Sequence, residues 1–284
     1  MTAGIGKQVR MGRILPGAGR KGACFAADHG MQLGPIPGLV DLRAAIQDAV
    51  DAGFDAVILS PGALTACADL FATRGAPAAI LRVDQTTMWR MGGEIGYEEG
   101  HTRLVASVED AARMGAEGVL TYFFVGHRDP ALEDRMFEIA GAVARRAREL
   151  GIVYVAEPMA AREGLYRKVF DGAVVAANAR MAIEIGADIV KCDWAGSVRG
   201  CRQVVAAAMG APVMIAGGPR EGGAEDTIDL VARLLQGRAN GIMFGRSLFQ
   251  ADDRRRLMRI VRAMIHEGLS AEEAKARLGE EDSR

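Results

Sequence analysis

One phrase occurs four times along the chain and constrains its fold more than any other feature. In residues 52–59, 114–120, 185–190 and 238–245, a helical stretch ends at a glycine or another small residue, and a run of apolar residues follows. Glycine suits the position that closes a helix, and an acidic residue suits a tight turn into the next strand. The repetition therefore predicts helices that alternate with strands.

Four more apolar runs lie between these phrases, in residues 22–28, 78–84, 152–157 and 212–216. The remaining predicted strands are centred on Val57, Leu120, Ile189 and Ile242. Eight strand–helix units in 284 residues favour an α/β fold of the closed (β/α)8 TIM barrel type over a doubly wound open sheet. We expect a single domain, 1–284, with an N-terminal extension of about residues 1–20 and C-terminal helices at about 250–279.

Composition narrows the class of function. Half of the residues are apolar, a quarter are charged, and the formal net charge is −1 with both signs mixed along the chain. This pattern favours neither a nucleic acid nor a membrane as partner, although small anions remain possible ligands. The four cysteines show no CxxC spacing and no cleavable apolar leader is visible, so we expect a reduced, cytoplasmic protein without a metal site or cofactor.

Lys191 is the most informative candidate residue. It ends the apolar run 186–190, which is typical of a buried parallel strand. A buried lysine favours its neutral form, and the neutral amine is the nucleophile of Schiff-base chemistry. An ion pair with Asp188 or Asp193, or a side chain that extends past the strand end into solvent, explains Lys191 equally well at this point.

Residues at the carboxyl ends of barrel strands line the active site, and this chain has polar side chains there. They are Asp28 and His29 after the first strand, Asp84 after the third, residues 122–127 after the fourth, Glu157 after the fifth, and Asp193 beside Lys191 after the sixth. The site would thus combine one amine and several carboxylates with the arginines of two glycine-rich loops at the last two strand ends. This combination predicts a site for an anionic carbonyl compound. We expect His29 to contact the substrate.

The last two strand ends predict a phosphate site. Loops after the seventh and eighth strands of many barrels bind phosphate through backbone amides, which glycine allows to approach closely. The candidate residues are Gly217, Gly218 and Arg220 after the seventh strand and Gly245 and Arg246 after the eighth. Two such loops on adjacent strands favour phosphate binding more than either loop alone.

Several segments together resemble a known family. Residues 6–30, with Ala-Ala-Asp-His-Gly at 26–30, and residues 104–111, 215–218 and 245–250 are similar to the DhnA-type class I aldolases, also called archaeal-type fructose-bisphosphate aldolases. The resemblance covers nearly the whole chain. It implies a TIM barrel, Lys191 as the Schiff-base former, Asp28 close to that amine and phosphate at the two glycine loops. It also implies a homo-oligomer, a pentamer or a decamer.

The chain departs from that family at one position. The tyrosine that serves the family as general acid and base is replaced here by Phe124, which cannot transfer protons. Tyr122 faces the same side of the strand about 7 Å away, so Tyr122, Glu157 or His127 is expected to supply the proton transfer. A packed barrel aromatic is the other interpretation of Tyr122. The glycine-rich stretch 84–106 is a candidate lid or oligomer contact.

These observations predict a class I (Schiff-base) aldolase that cleaves or forms a carbon–carbon bond in a phosphorylated keto sugar or related keto compound. Its predicted catalytic residues are Lys191, Asp28, Tyr122 and Glu157. One alternative is thiolase-like acyl transfer on a phosphorylated dione, since the Phe124 replacement resembles a thiolase branch that processes a phosphorylated pentanedione. Another alternative is a non-catalytic barrel that binds a sugar phosphate.

Overall fold

The computed structural model of the chain describes residues 4–91, 95–218 and 222–279. Eight parallel strands close into a barrel, and a separate antiparallel hairpin is inserted after the third of them. The barrel strands are β1 (Gly22–Ala26), β2 (Ala56–Leu59), β3 (Ala78–Arg82), β6 (Gly118–Val125), β7 (Val153–Ala160), β8 (Ile189–Cys192), β9 (Val213–Ala216) and β10 (Gly241–Phe244), and the hairpin strands are β4 (Asp84–Thr86) and β5 (Thr102–Leu104). The predicted (β/α)8 barrel is confirmed.

Helices surround the barrel. They are α1 (Ile5–Ile14), α2 (Gly30–Leu33), α3 (Leu42–Asp51), α4 (Pro61–Ala66), α5 (Ala68–Phe71), α6 (Val108–Arg113), α7 (Pro130–Leu150), α8 (Gly172–Ile185), α9 (Val198–Ala207), α10 (Ala224–Gln236), α11 (Arg246–Phe249), α12 (Arg254–His266) and α13 (Ala271–Gly279), with a 3-10 turn at Met88–Arg90. Gly151 and Gly186 end α7 and α8 in the left-handed conformation, with φ of 67° and 115°. Gly186 therefore acts as the helix-closing glycine that the repeated phrase predicts, and Gly151 closes α7 in the same way outside the four repeated segments.

Side-chain alternation divides the barrel strands into a lumen face and a helix-facing surface. The lumen core contains Cys24, Ala26, Ala56, Ile58, Ala78, Ile80, Leu120, Val153, Val155, Ile189, Met214 and Met243. Ile14 and Leu15, at the end of α1, pack against this set and close the amino-terminal end of the barrel. The lower part of the lumen is thus filled with apolar side chains, and the next lumen-facing positions on β3, β7 and β8 are Arg82, Glu157 and Lys191.

Strands β6 and β7 run further than the sequence predicts. Their ladder pairs eight residues of each strand, from Gly118 opposite Val153 to Val125 opposite Ala160. The fifth strand predicted from the sequence, residues 152–157, ended at Glu157. The longer ladder carries Glu157 and Met159 up the wall of the cavity at the carboxyl end of the barrel.

The stretch 84–106 contains the hairpin of β4 and β5, which the sequence did not predict. Its two strands are tied by a 3.0 Å hydrogen bond between the buried hydroxyls of Thr102 and Thr86. The 3-10 turn between them places the Trp89 ring edge-on to Tyr122 and Phe124, at centroid distances of 5.8 and 5.9 Å. The segment therefore covers part of the barrel mouth, while its role as a lid or an oligomer contact stays a prediction.

Candidate active site

A cavity of about 440 Å³ opens at the carboxyl ends of the barrel strands. It is lined by nine of the ten residues predicted for the site, namely Lys191, Asp28, His29, Tyr122, Glu157, Gly217, Gly218, Gly245 and Arg246. The tenth, Arg220, lies outside the described residues. The strand-end positions read from the sequence therefore converge on one cavity.

The Lys191 amine lies within this cavity and contacts a carboxylate. Its Nζ is 2.7 Å from Oε1 of Glu157, and the side chains of both residues are about 6% exposed. Asp188, one of the two partners considered from the sequence, faces the other side of β8 and pairs with Lys7 Nζ at 2.8 Å. The carboxylate that touches the amine is thus Glu157, from the neighbouring strand β7.

Arg82 is a central residue of the site that the sequence analysis missed. It is completely buried, and its guanidinium donates to Asp28 at 2.7 Å, to Asp84 at 3.3 Å and to Oε2 of Glu157. The same guanidinium lies 3.7 Å from the centre of the Tyr122 ring. Alternation along β3 was the signal available, because Arg82 follows the lumen residue Ile80 by two positions.

The Arg82 guanidinium orders the charges around the amine. Burial alone would raise the pKa of Asp28, but the charges of Arg82, then Lys191 and His29, hold it well below its usual range. Burial raises the pKa of Asp84 to about 7 even though Arg82 opposes this. Asp28 is therefore an ionised carboxylate at neutral pH, whose direct contact is Arg82.

Tyr122 is both packed and in the cavity. Its ring stacks on Phe124 at 5.2 Å, with an interplanar angle of 22°, and Phe124 is completely buried behind it. Burial raises the pKa of the Tyr122 phenol well above its usual range. His127, another candidate for proton transfer, has its Nδ1 2.5 Å from Glu163 and a ring that is 1% exposed. His127 is thus held against Glu163 in the β7–α8 loop.

The glycine loops after β9 and β10 lie side by side. Gly218 has a φ of 65°, and a Cβ at Gly217 would collide with the Ser247 hydroxyl. Within the described part of the chain, the Ser247 hydroxyl and Nε of Arg246 are buried without a hydrogen-bond partner. Buried donors of this kind are costly unless a ligand satisfies them, and an anion is the matching ligand.

His29 connects the phosphate loops to the carboxylates. Its ring packs edge-on against Phe249 at 5.2 Å and occupies the space that a Cβ at Gly245 would need. Burial lowers the pKa of His29 to about 4, with Asp28 opposing the change. The imidazole is therefore neutral at pH 7, and its position explains why residue 245 is a glycine.

Arg162 is a second cationic residue that the sequence analysis missed. It lies in the loop after β7, lines the cavity and has its guanidinium 5.2 Å from the Trp89 ring centre. The pKa of Arg246 is lowered by burial and then by the positive charge of Arg162. No periodic signal marks this loop in the sequence, so only the fold brings Arg162 to the site.

Two absences concern the described residues only. Residues 4–91, 95–218 and 222–279 contain no group of three or more His, Cys, Asp or Glu side chains placed to hold a metal ion. Within the same ranges, no helix is long and apolar enough to cross a bilayer.

Comparison with known proteins connects this geometry to a family. Residues 23–251 match the model of the DeoC/LacD family aldolases. An uncharacterized aldolase of Saccharolobus solfataricus is 30% identical over 95% of this chain and 98% of its own length. The 2-amino-3,7-dideoxy-D-threo-hept-6-ulosonate synthase of Halobacterium salinarum is 31% identical over 96% of this chain and 97% of its own length.

A solved structure of a Schiff-base-forming fructose-1,6-bisphosphate aldolase is similar with a TM-score of 0.77 and 27% identity. The match covers 91% of this chain and 99% of that one. The barrel, the enclosed lysine and these matches together define a Schiff-base lyase. The chain belongs to the DeoC/LacD aldolase family, and it is a class I aldolase. The family resemblance and the aldolase prediction are thereby confirmed.

Proposed function

We propose that Lys191 forms a Schiff base with the carbonyl group of a phosphorylated keto sugar or related keto compound, whose carbon–carbon bond the protein cleaves or forms reversibly. The observation that carries the proposal is the 2.7 Å contact between Lys191 and Glu157 inside a cavity whose other wall contains unsatisfied anion-binding donors. The similar fructose-1,6-bisphosphate aldolase, which forms a Schiff base, supports the same chemistry.

Glu157 is suited to the proton transfers at the amine. An amine attacks a carbonyl only when its lone pair is free, and Oε1 of Glu157 is within hydrogen-bond distance to take the ammonium proton. The same carboxyl then returns a proton to the carbinolamine hydroxyl, which leaves as water. Asp28, kept ionised by Arg82, stabilises the iminium charge through space. Tyr122, which stays protonated, donates a hydrogen bond to the substrate from the cavity wall.

The phosphate group of the substrate is placed at the two glycine loops. Backbone amides of Gly218 and Gly245 and the Arg246 guanidinium supply donors on one side of the cavity, and the unpaired Ser247 hydroxyl is buried next to Gly217. A phosphate held there leaves the carbon chain pointing towards Lys191. His29, neutral and adjacent to Gly245, is placed to contact the same end of the substrate.

Trapping by borohydride tests the Schiff base. Reduction of the protein in the presence of phosphorylated ketoses, phosphorylated ketones and a phosphorylated dione should leave a covalent adduct with at least one of them. Peptide mapping by mass spectrometry should place that adduct on Lys191. A label on any other lysine, or no label with any compound, would overturn the proposal.

Product analysis on the same compounds separates the two candidate reactions. Thiolase-like acyl transfer remains a candidate because Phe124, buried behind Tyr122, occupies the position that the sequence resemblance assigns to the catalytic tyrosine of the DhnA-type aldolases. Release of an aldehyde from a ketose identifies aldol cleavage. Transfer of an acyl group from the dione to an added thiol identifies the thiolase-like reaction.

Removing the Arg246 guanidinium should weaken binding of the phosphate. Loss of a hydrogen bond to a charged group costs about 1.5–3 kcal/mol, so KM for the phosphorylated substrate of Arg246→Ala should rise roughly 10- to 150-fold. The matched control is Arg199→Ala, an exposed position on α9. An equal increase in KM for the dephosphorylated substrate would contradict phosphate binding at Arg246.

Assembly and location stay predictions. A pentamer or a decamer is expected, and light scattering coupled to size-exclusion chromatography measures its mass. All four cysteines are buried and unpaired, which supports the predicted reducing, cytoplasmic location.

A further inference from the structure

Asp193 is a polar residue of the cavity that the proposed chemistry does not yet use. It follows Lys191 by two residues, so alternation turns it towards the same side of the chain as the amine, and it lines the same cavity. The Lys191 amine pairs with Glu157 and not with Asp193, which was one of the two partners considered from the sequence. The Asp193 carboxyl is therefore left to face the space that the substrate fills.

The two other carboxylates that line the cavity, Glu157 and Asp28, are each in contact with a cation. Glu157 has Oε1 against Lys191 and Oε2 against Arg82, so both of its oxygens are occupied and its proton transfers serve the amine. Asp28 is held by the same guanidinium. Tyr122 keeps its phenolic proton, so it donates a hydrogen bond and does not accept a proton. Breaking a carbon–carbon bond next to a hydroxyl needs a group that first accepts the hydroxyl proton and then donates a proton.

We propose that Asp193 is the general acid–base for the step in which the carbon–carbon bond breaks or forms. This role rests on the proposed Schiff base at Lys191. In cleavage, the Asp193 carboxylate removes the proton of the substrate hydroxyl, the carbon–carbon bond breaks, and its electron pair moves into the Lys191 iminium to give an enamine. The aldehyde departs. The Asp193 carboxylic acid then gives the same proton to the enamine carbon, and water hydrolyses the resulting iminium to the ketone and free Lys191.

The electrostatic surroundings of Asp193 support this role. Burial and then Glu157 of β7 raise the pKa of Asp193 to about 7, while Lys191 and Arg246 act in the opposite direction. Among the described residues, the Cys192 thiol is also next to Asp193, but it faces away on the other side of β8, and its pKa is raised well above the usual range, mainly by burial. A group that titrates near the operating pH serves both as base and as acid.

Asp193→Asn should separate Schiff-base formation from the later step. The probe is the phosphorylated ketone that labels Lys191 of the wild-type protein under borohydride. The variant should still form that adduct. Its cleavage rate, and its rate of exchange of the ketone α-hydrogen with deuterium oxide measured by NMR, should fall by about 10²–10⁴-fold. Asp193→Glu should keep part of the exchange, and Asp252→Asn, an exposed carboxylate outside the cavity, should match wild type.

The pH profile gives a second measurement. Because the base must be ionised, kcat for cleavage by the wild-type protein should rise as the pH increases through about 7, and Asp193→Asn should lack this rise. Burial also raises the pKa of Asp84 to about 7, so ionisation of Asp84 could produce the same rising limb of the pH profile. A limb that persists in Asp193→Asn would assign it to Asp84 and overturn the role of Asp193.

The outcomes distinguish the two proposals. If no compound labels Lys191 of the wild-type protein, the Schiff base fails, and the role of Asp193 fails with it. If wild type is labelled but Asp193→Asn exchanges deuterium at the wild-type rate, only the role of Asp193 is overturned. Asp193→Ala repeats the test with the carboxyl removed altogether, should the amide disturb folding, and unchanged exchange in that variant has the same meaning.

Discussion

Lys191→Met should reduce turnover below detection, a loss on the order of 10⁴-fold or more, which is the scale seen when a covalent nucleophile is removed. Methionine keeps a long side chain in the barrel lumen but has no amine to attack the carbonyl. The borohydride adduct should disappear together with activity. Both are measured on one sample, by a coupled cleavage assay and by intact-protein mass spectrometry.

The control for this experiment is Lys21→Met, at the amino-terminal end of β1 and therefore at the opposite end of the barrel from the cavity. It should retain both the adduct and the activity. Residual turnover in Lys191→Met at more than about a hundredth of the wild-type rate would show that another group carries the chemistry. Circular dichroism checks that the loss is not one of folding.

Arg82→Met should destabilise the fold by about 3–5 kcal/mol, the cost of leaving one side of a buried ion pair without its partner. Asp28, Asp84 and Glu157 all lose the same guanidinium, and none of the three is more than 5% exposed. Urea unfolding at pH 7 measures the change in free energy. Arg254→Met, which breaks a more exposed pair with Asp48, should cost about 1 kcal/mol or less.

The difference between Arg82→Met and wild type should depend on pH in a defined direction. The folded-state pKa of Asp28 lies well below its unfolded value of about 3.9, so the stability it contributes is present above about pH 4 and is lost as the pH falls towards the folded value. The gap between variant and wild type should therefore be largest near pH 7 and shrink in acid. A gap that is constant from pH 7 to pH 3 would mean that packing, and not the charge of Arg82, is what the variant loses.

Part of the site was predictable because the signals are local. Glu157 and Lys191 come at the ends of apolar runs, and Gly217 and Gly245 come directly after the two barrel strands that follow. Because the carboxyl ends of all barrel strands lie at the same end of the barrel, the order of the strands is enough to bring these residues together. Alternation along β3 also contained the position of Arg82, but of the two charged residues in segment 78–84 only Asp84, at the strand end, was predicted for the site. The lumen-facing position of Arg82 is therefore predictable from the sequence.

Other features were not accessible from the sequence. Trp89 reaches Tyr122 through the β4–β5 hairpin, whose short strands show no clear periodic pattern within the stretch 84–106. Arg162 reaches the cavity from an irregular loop. Such residues are placed by contacts with distant segments, and a single sequence does not record those contacts.

The sequence by itself determined the barrel, the face on which each strand residue lies and the set of polar groups at the carboxyl ends, because glycine turns and alternation act over a few neighbouring residues. Only the tertiary structure decided which charges are paired. Arg82 meets Asp28 and Glu157 across 54 and 75 positions of the chain, and the amine of Lys191 meets Glu157 from the adjacent strand. Those pairings, together with removal of water from the lumen, set which carboxyl stays ionised and which takes a proton. The physical reason is that desolvation and Coulomb energies depend on distances in three dimensions, which strand order and packing create.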